Sequence, residues 1–116
     1  MSVKKWRFRV EHILESIERI WSYTEGLTYE EFSQDSRTID AVIRNLALLG
    51  EAARHIPFEI QEKYRDTPWS AMKAMRNVLI HEYERIDQKI VWRTIWDDLP
   101  LLPPLLKNIL DKEKDE

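Results

Sequence analysis

The chain has no cysteine and only two glycines, Gly26 and Gly50, in 116 residues. Without cysteine there is no disulfide framework and no thiolate to act as nucleophile or metal ligand. Hairpin turns and dinucleotide-binding loops both consume glycine, so a Gly-rich phosphate loop is excluded. Long apolar runs are also missing. No window of roughly 18 uncharged apolar residues exists to span a membrane. The basic start, Met1 to Val10, lacks the apolar stretch of a secretion signal. The three histidines, His12, His55 and His81, are scattered, without the paired spacing of a metal site. These absences lead to the expectation of a cytoplasmic protein with no metal, no cofactor of its own and no membrane contact.

What is present is enough for one domain, residues 1–116. Hydrophobic residues are 43% and charged residues 34% of the chain. A chain rich in Leu, Ile, Glu, Lys and Arg with almost no glycine reads as all-α. The net charge of −3 excludes a surface that is basic throughout, but not a local basic patch.

Apolar periodicity places the helices. Trp6, Val10, Ile13, Leu14, Ile17, Ile20 and Trp21 form one stripe on a helix from about Lys4 to Tyr23, stopped at Gly26. Thr28 with Glu31 has capping-box spacing for a short turn near Tyr29 to Phe32. A second long helix runs from about Ser36 to His55 or Ile56, with Ile39, Val42, Ile43, Leu46, Leu49, Gly50 and Ala53 on its stripe. A glycine inside a helix costs roughly 1 kcal/mol relative to alanine. Gly50 and Ala53 on one face therefore predict the close approach of another helix. Pro57 opens a short segment, Phe58 to Tyr64. Thr67-Pro68 signals a third long helix carrying Trp69, Met72, Met75, Leu79, Tyr83 and, at its end, Ile86. Asp87 caps the next helix, striped by Val91, Ile95 and Leu99 and then by Leu102, Leu106 and Ile109. Pro100, Pro103 and Pro104 break or kink it. The tail, residues 111–116, is expected to fray. The sum is an up-and-down bundle of four to five helices.

Chemistry concentrates in Arg76-Asn77-Val78-Leu79-Ile80-His81-Glu82-Tyr83. At about 100° per residue, Asn77 and His81 point away from the apolar centre of this helix, and Arg76 and Tyr83 lie on its border. Arg76 and His81 are about 140° and roughly 7.5 Å apart on a straight helix. If they act together, two copies facing each other across a two-fold axis would bring them to one group. Histidine moves protons near neutral pH, and arginine grips phosphate and stabilises charge on it. RNA carries its own nucleophile, the 2′-hydroxyl, so this set suffices for metal-free cleavage. On spacing alone, a solvated helix face with an incidental histidine accounts for the segment better. His55, at a helix C-terminus, and His12, within the first helix, are read as structural.

The Arg76 to Tyr83 segment resembles the signature of the HepT toxins within the HEPN ribonuclease superfamily: Arg, four residues, His, any residue, Tyr. Two further blocks agree. Ala41-Val42-Ile43-Arg44-Asn45-Leu46 leading to Leu49-Gly50-Glu51-Ala52-Ala53 is similar to the family's "GEA" block, and Val91-Trp92 leading to Leu99-Pro100 is a weaker match. The resemblance implies a prokaryotic, homodimeric HEPN-like bundle with metal-independent endoribonuclease activity at the dimer interface. It implies that Arg76 and His81 are catalytic and that Asn77 assists. It further implies that Tyr83 is AMPylated by a minimal nucleotidyltransferase antitoxin, which uses the ATP. The alternative is a HEPN module that has lost activity and only docks a nucleotidyltransferase or nucleic acid. Lys73 and Arg85, which flank the motif, are candidate RNA contacts. Lys4, Lys5, Arg7 and Arg9 form a basic N-terminus that would extend such a path if it converged on the same groove.

Overall fold

A computed structural model describes residues 4–77 and 87–114. Among these residues all regular structure is helical, in the order α1 (Trp6–Thr24), α2 (Tyr29–Ser33), α3 (Ser36–Arg54), α4 (Phe58–Lys63), α5 (Trp69–Ala74), α6 (Gln88–Arg93) and α7 (Leu102–Lys112). No described helix is long and apolar enough to cross a membrane.

The central pair is α1 against α3. Val10, Ile13, Ile17 and Ile20 from α1 and Val42, Leu46, Leu49 and Ala53 from α3 are fully buried, and Trp6, Leu14 and Trp21 pack at the margin of this core. The expected stripes are thus the ones that fold inward. Burying side chains of this size stabilises by roughly 1.5–3 kcal/mol each. Gly26 ends α1 with φ at +79°, a conformation that disfavours a Cβ. Thr28 and Glu31 form the reciprocal capping box, each satisfying the other's backbone N–H. Asp35 caps α3 by accepting from the Thr38 amide and hydroxyl. These bonds hold the Asp35 carboxyl below its ordinary value.

The proline-rich stretch divides as expected. Asp87 caps α6 by accepting from the Lys89 and Ile90 amides. A π-helical turn, Thr94–Asp98, and a 3₁₀ turn, Leu99–Leu101, then lead into α7. The Trp21 indole N–H donates to the Ile95 carbonyl inside the wide turn. Ile95, Leu99, Leu102, Leu106 and Ile109 stay buried through the change of pitch.

Three local expectations need correction. Thr67 does not cap α5 with its side chain. Its carbonyl instead accepts from the Trp69 amide at 2.8 Å, so the helix starts after Pro68. The third helix is not continuous. After Ala74 the Met75 amide closes back on the Met72 carbonyl, an i to i+3 bond that tightens the last turn, and Met75 and Arg76 lie in that turn. Nor is the C-terminus frayed from Asp111. Asp111 and Lys112 belong to α7, and Glu113 is buried.

Glu113 is buried because it is paired. Its carboxylate meets Lys63, accepts from the Tyr64 hydroxyl at 2.7 Å and lies 3.8 Å from Lys4. Lys63 and Tyr64 hold the Glu113 carboxyl below the ordinary glutamate range. Burial, with the hydrogen bond to this carboxylate, pushes the Tyr64 phenol up to about 12. Arg7 donates to the carbonyls of Leu110 and Glu113, and Lys4 donates to that of Lys114. The last carbonyls of a helix have no partner inside it, and cations at the C-terminus complement its dipole. Two residues of the basic N-terminus therefore staple α7 to α1.

Candidate active site around Arg76

Gly50 is what brings Arg76 into place. A Cβ built on Gly50 would lie 3.0 Å from the Arg76 backbone nitrogen and 3.1 Å from the carbonyl oxygens of Met72 and Lys73. These are backbone atoms, with no flexible side chain to give way. The expected close approach is real, and it fixes the C-terminal end of α5 on α3 beside Gly50. The buried Met72 and Met75 anchor the same turn from the core side.

Arg76 emerges at the edge of that contact. Its side chain is 37% exposed, and Nη1 lies 3.6 Å from Oε1 of Glu51. Asn77 is exposed. Both placements agree with the projection from the sequence, which puts Arg76 on the border and Asn77 off the core. Because Arg76 stands in a turn, however, it is not on the straight helix assumed for the angular argument. His81, Tyr83 and Arg85 lie outside the described residues.

The other candidates are placed as follows. Lys73 donates to Gln61 Oε1 at 2.8 Å, and the Gln61 amide donates to the Ile56 carbonyl, so Lys73 ties α5 to α4. Lys4 and Arg7 are held at the C-terminus of α7, while Lys5 and Arg9 are exposed. His55 sits at the C-terminal end of α3 with Nδ1 3.0 Å from the Glu51 carbonyl oxygen, in keeping with a structural role. His12 is exposed.

Sequence reading missed Glu51 as a partner of Arg76, although it follows Gly50 directly. One further α3 polar group stands out. Asn45 is buried, and its amide N–H₂ donates to the Ala41 carbonyl, but its Oδ1 has no partner among the described residues. Leaving a buried acceptor unsatisfied costs roughly 1–3 kcal/mol.

Comparisons with known proteins identify the family of the chain. The family model described as "Ribonuclease HepT-like" matches residues 13–109. A provisionally designated RNase of Caldanaerobacter subterraneus subsp. tengcongensis is 38% identical over 105 residues, covering 90% of this chain and 94% of the relative. A probable ribonuclease HepT of Thermococcus cleftensis is 39% identical over 93 residues, covering 80% and 84%. A Methanocaldococcus jannaschii protein, named as a gamma-glutamylcyclotransferase together with a provisional RNase, is 37% identical over 115 residues; the chain spans 97% of its own length there and 52% of that protein. No solved structure matches the chain. The chain belongs to the HepT-like ribonuclease family.

Proposed function

We propose that the protein is a metal-independent endoribonuclease toxin, acting as a homodimer in the cytoplasm and controlled by a nucleotidyltransferase antitoxin. The observation that carries this reading is the position of Arg76. In a chain of the HepT-like family, the arginine of the intact signature stands half-exposed on a rigid backbone contact, able to meet an external phosphate.

The chemistry follows from the side chains. His81 takes the proton from an RNA 2′-hydroxyl. The 2′-oxygen then attacks the adjacent phosphorus, and the bond to the 5′-oxygen breaks. The departing 5′-oxygen takes up a proton, leaving a 2′,3′-cyclic phosphate and a 5′-hydroxyl. Arg76 binds the phosphate and stabilises the charge that develops on it. Asn77, exposed beside Arg76, orients the phosphate or the ribose. The two-fold arrangement supplies Arg76 from one protomer and His81 from its partner.

Cleavage of a labelled RNA in chelator tests this reading. Wild type cuts and leaves cyclic phosphate ends. His81→Ala does not cut, and sediments and melts as wild type does. Strict dependence on a divalent ion, or full activity in His81→Ala, would overturn the mechanism. A monomer at micromolar concentration that still cuts would overturn the shared site.

A further inference from the structure

The π-helical turn after α6 presents a surface that the Arg76 site does not use. Two rows run side by side along α6 and this turn. One row is aromatic, Trp92 and Trp96, four residues apart. The other is charged, Lys89, Arg93 and Asp97, at the same spacing. With Tyr29 of α2 these residues line an open cavity of about 350 Å³.

The aromatic row is built to stay in place. Trp92 is half-buried and held by Phe32 at 5.0 Å between ring centroids and by Tyr29 edge-on at 6.0 Å. Trp96 meets Trp92 at 5.8 Å with the ring planes at 68° and remains 41% exposed. Two indoles at a steep angle make a corner in which a flat ring can stack on one face and meet the edge of the other. Among the described residues, Lys89 and Arg93 form no ion pair, and Asp97 does not pair with Arg93. Asp97 ends the cationic stretch.

We infer that Trp92, Trp96 and Tyr29, with Lys89 and Arg93, form a binding platform for single-stranded RNA, the bases stacking on the indoles and the phosphates following the cationic row. This inference rests on the ribonuclease reading and names the part of the substrate held away from the scissile bond. Trp, Tyr and Arg also mark protein interfaces, so a protein partner is the competing occupant that the test below separates. The two cations aligned beside the rings favour a ligand that carries phosphates. A surface that reads only phosphate has no use for exposed indoles. Single strands offer both partners at once, and each base has a π-face to stack. The signal was legible as Lys-x-x-Trp-Arg-x-x-Trp, residues 89 to 96, beginning eight residues after His81.

Binding, separated from cleavage, tests the platform. The probe is a fluorescein-labelled single-stranded RNA of about ten nucleotides, and the parent protein is the full chain with His81→Ala. Trp96→Ala weakens binding about tenfold with an unchanged circular dichroism spectrum. Trp96→Phe recovers most of it. Lys89→Ala with Arg93→Ala reduces the slope of log affinity against log salt by about 1.4, for two phosphate contacts on a single strand. A duplex of the same sequence binds more weakly, because its bases are already stacked. Binding by Trp96→Ala within about twofold of the parent, or equal binding of the duplex, would overturn the platform. So would loss of self-association without loss of RNA binding, which assigns the face to a second copy of the chain. If wild type binds through this surface but cuts no RNA, the ribonuclease reading fails and the platform stands.

Discussion

Glu51 Oε1 lies 3.6 Å from Nη1 of Arg76, and Gly50, one residue earlier, is where a Cβ would come within 3.0 Å of the Arg76 amide nitrogen. One pair of adjacent α3 residues thus sets both the backbone and the charge environment of Arg76. Both charged side chains are more than a third exposed. The pair itself is therefore worth no more than about 1 kcal/mol of stability. Its effect is on what Arg76 can bind.

On the proposed function, an incoming phosphate competes with the Glu51 carboxylate for Arg76. Glu51→Gln should leave the melting temperature nearly unchanged and tighten RNA binding by about fivefold at low salt, the effect of removing roughly 1 kcal/mol of like-charge repulsion. The gain should shrink as salt is raised. Fluorescence anisotropy at two salt concentrations checks this. Weaker binding would show instead that Glu51 holds Arg76 in its working orientation.

Gly50→Ala places a methyl group against three backbone atoms. Alanine gains roughly 1 kcal/mol in helix propensity, but overpacking costs typically 1–3 kcal/mol. The net should be destabilising, and cleavage should fall further than the melting temperature alone explains, because the displaced backbone carries Arg76. Gly26→Ala is the control. Nothing lies within 4 Å of its Cβ position, so its cost comes from φ alone, roughly 1–2 kcal/mol, and cleavage by the folded protein should not change.

Acid should loosen the clasp at Glu113. Its carboxyl is depressed in the folded protein relative to an ordinary glutamate at 4.5. A depressed carboxyl contributes stability that is complete above the unfolded value and lost as pH falls through the folded one. Melting temperature should therefore hold steady down to about pH 5.5 and fall below about 4.5. Asp35, also depressed, adds to the same loss. Glu113→Gln should melt lower at neutral pH and show a shallower decline in acid. Equal pH profiles for the two proteins would exclude Glu113 as a source of the decline.

Tyr83 provides the test of control by a partner. Attack of its hydroxyl oxygen on the α-phosphorus of ATP would form a phosphodiester to AMP and release pyrophosphate, the phenolic proton passing to solvent. The negative phosphate would occupy Arg76 and exclude RNA by charge and bulk. On the proposed function, a partner nucleotidyltransferase with ATP should add mass to wild type in whole AMP units and abolish its activity. Tyr83→Phe should gain none. Equal gains on both proteins would place the modification elsewhere.

The long helices were legible because periodicity reports burial directly. Every residue from Val10 to Ile20 assigned to the α1 core is buried or packs at its margin, as are the residues of the α3 stripe. Gly50 was legible because a glycine inside a helix needs a compensating contact. The break at Met75 was not, since Met-Arg-Asn carries no helix-breaking residue to announce the i to i+3 bond that closes the turn. Glu113 was misread for a related reason. A run of alternating charges near a terminus has the composition of a solvated tail, and only the fold brings Lys63, Tyr64, Lys4 and Arg7 to it. The pairing of Glu51 with Arg76 joins α3 to the turn after α5 and is invisible along the chain.

The clasp between Lys4 and Lys114 also bears on how the molecule can be rewired. The Lys4 ammonium donates to the Lys114 carbonyl at 3.1 Å, so residues 110 positions apart in sequence are neighbours in space. A bridging peptide of about four residues reaches roughly 13 Å when extended, ample to join them. Residues 4 to 114 thus trace a near-closed loop. It could be reopened at an exposed connection such as the one beside Gly26, giving a circularly permuted protein with the same core, in which Arg7 and Glu113 lie near one another along the chain as well as in the fold.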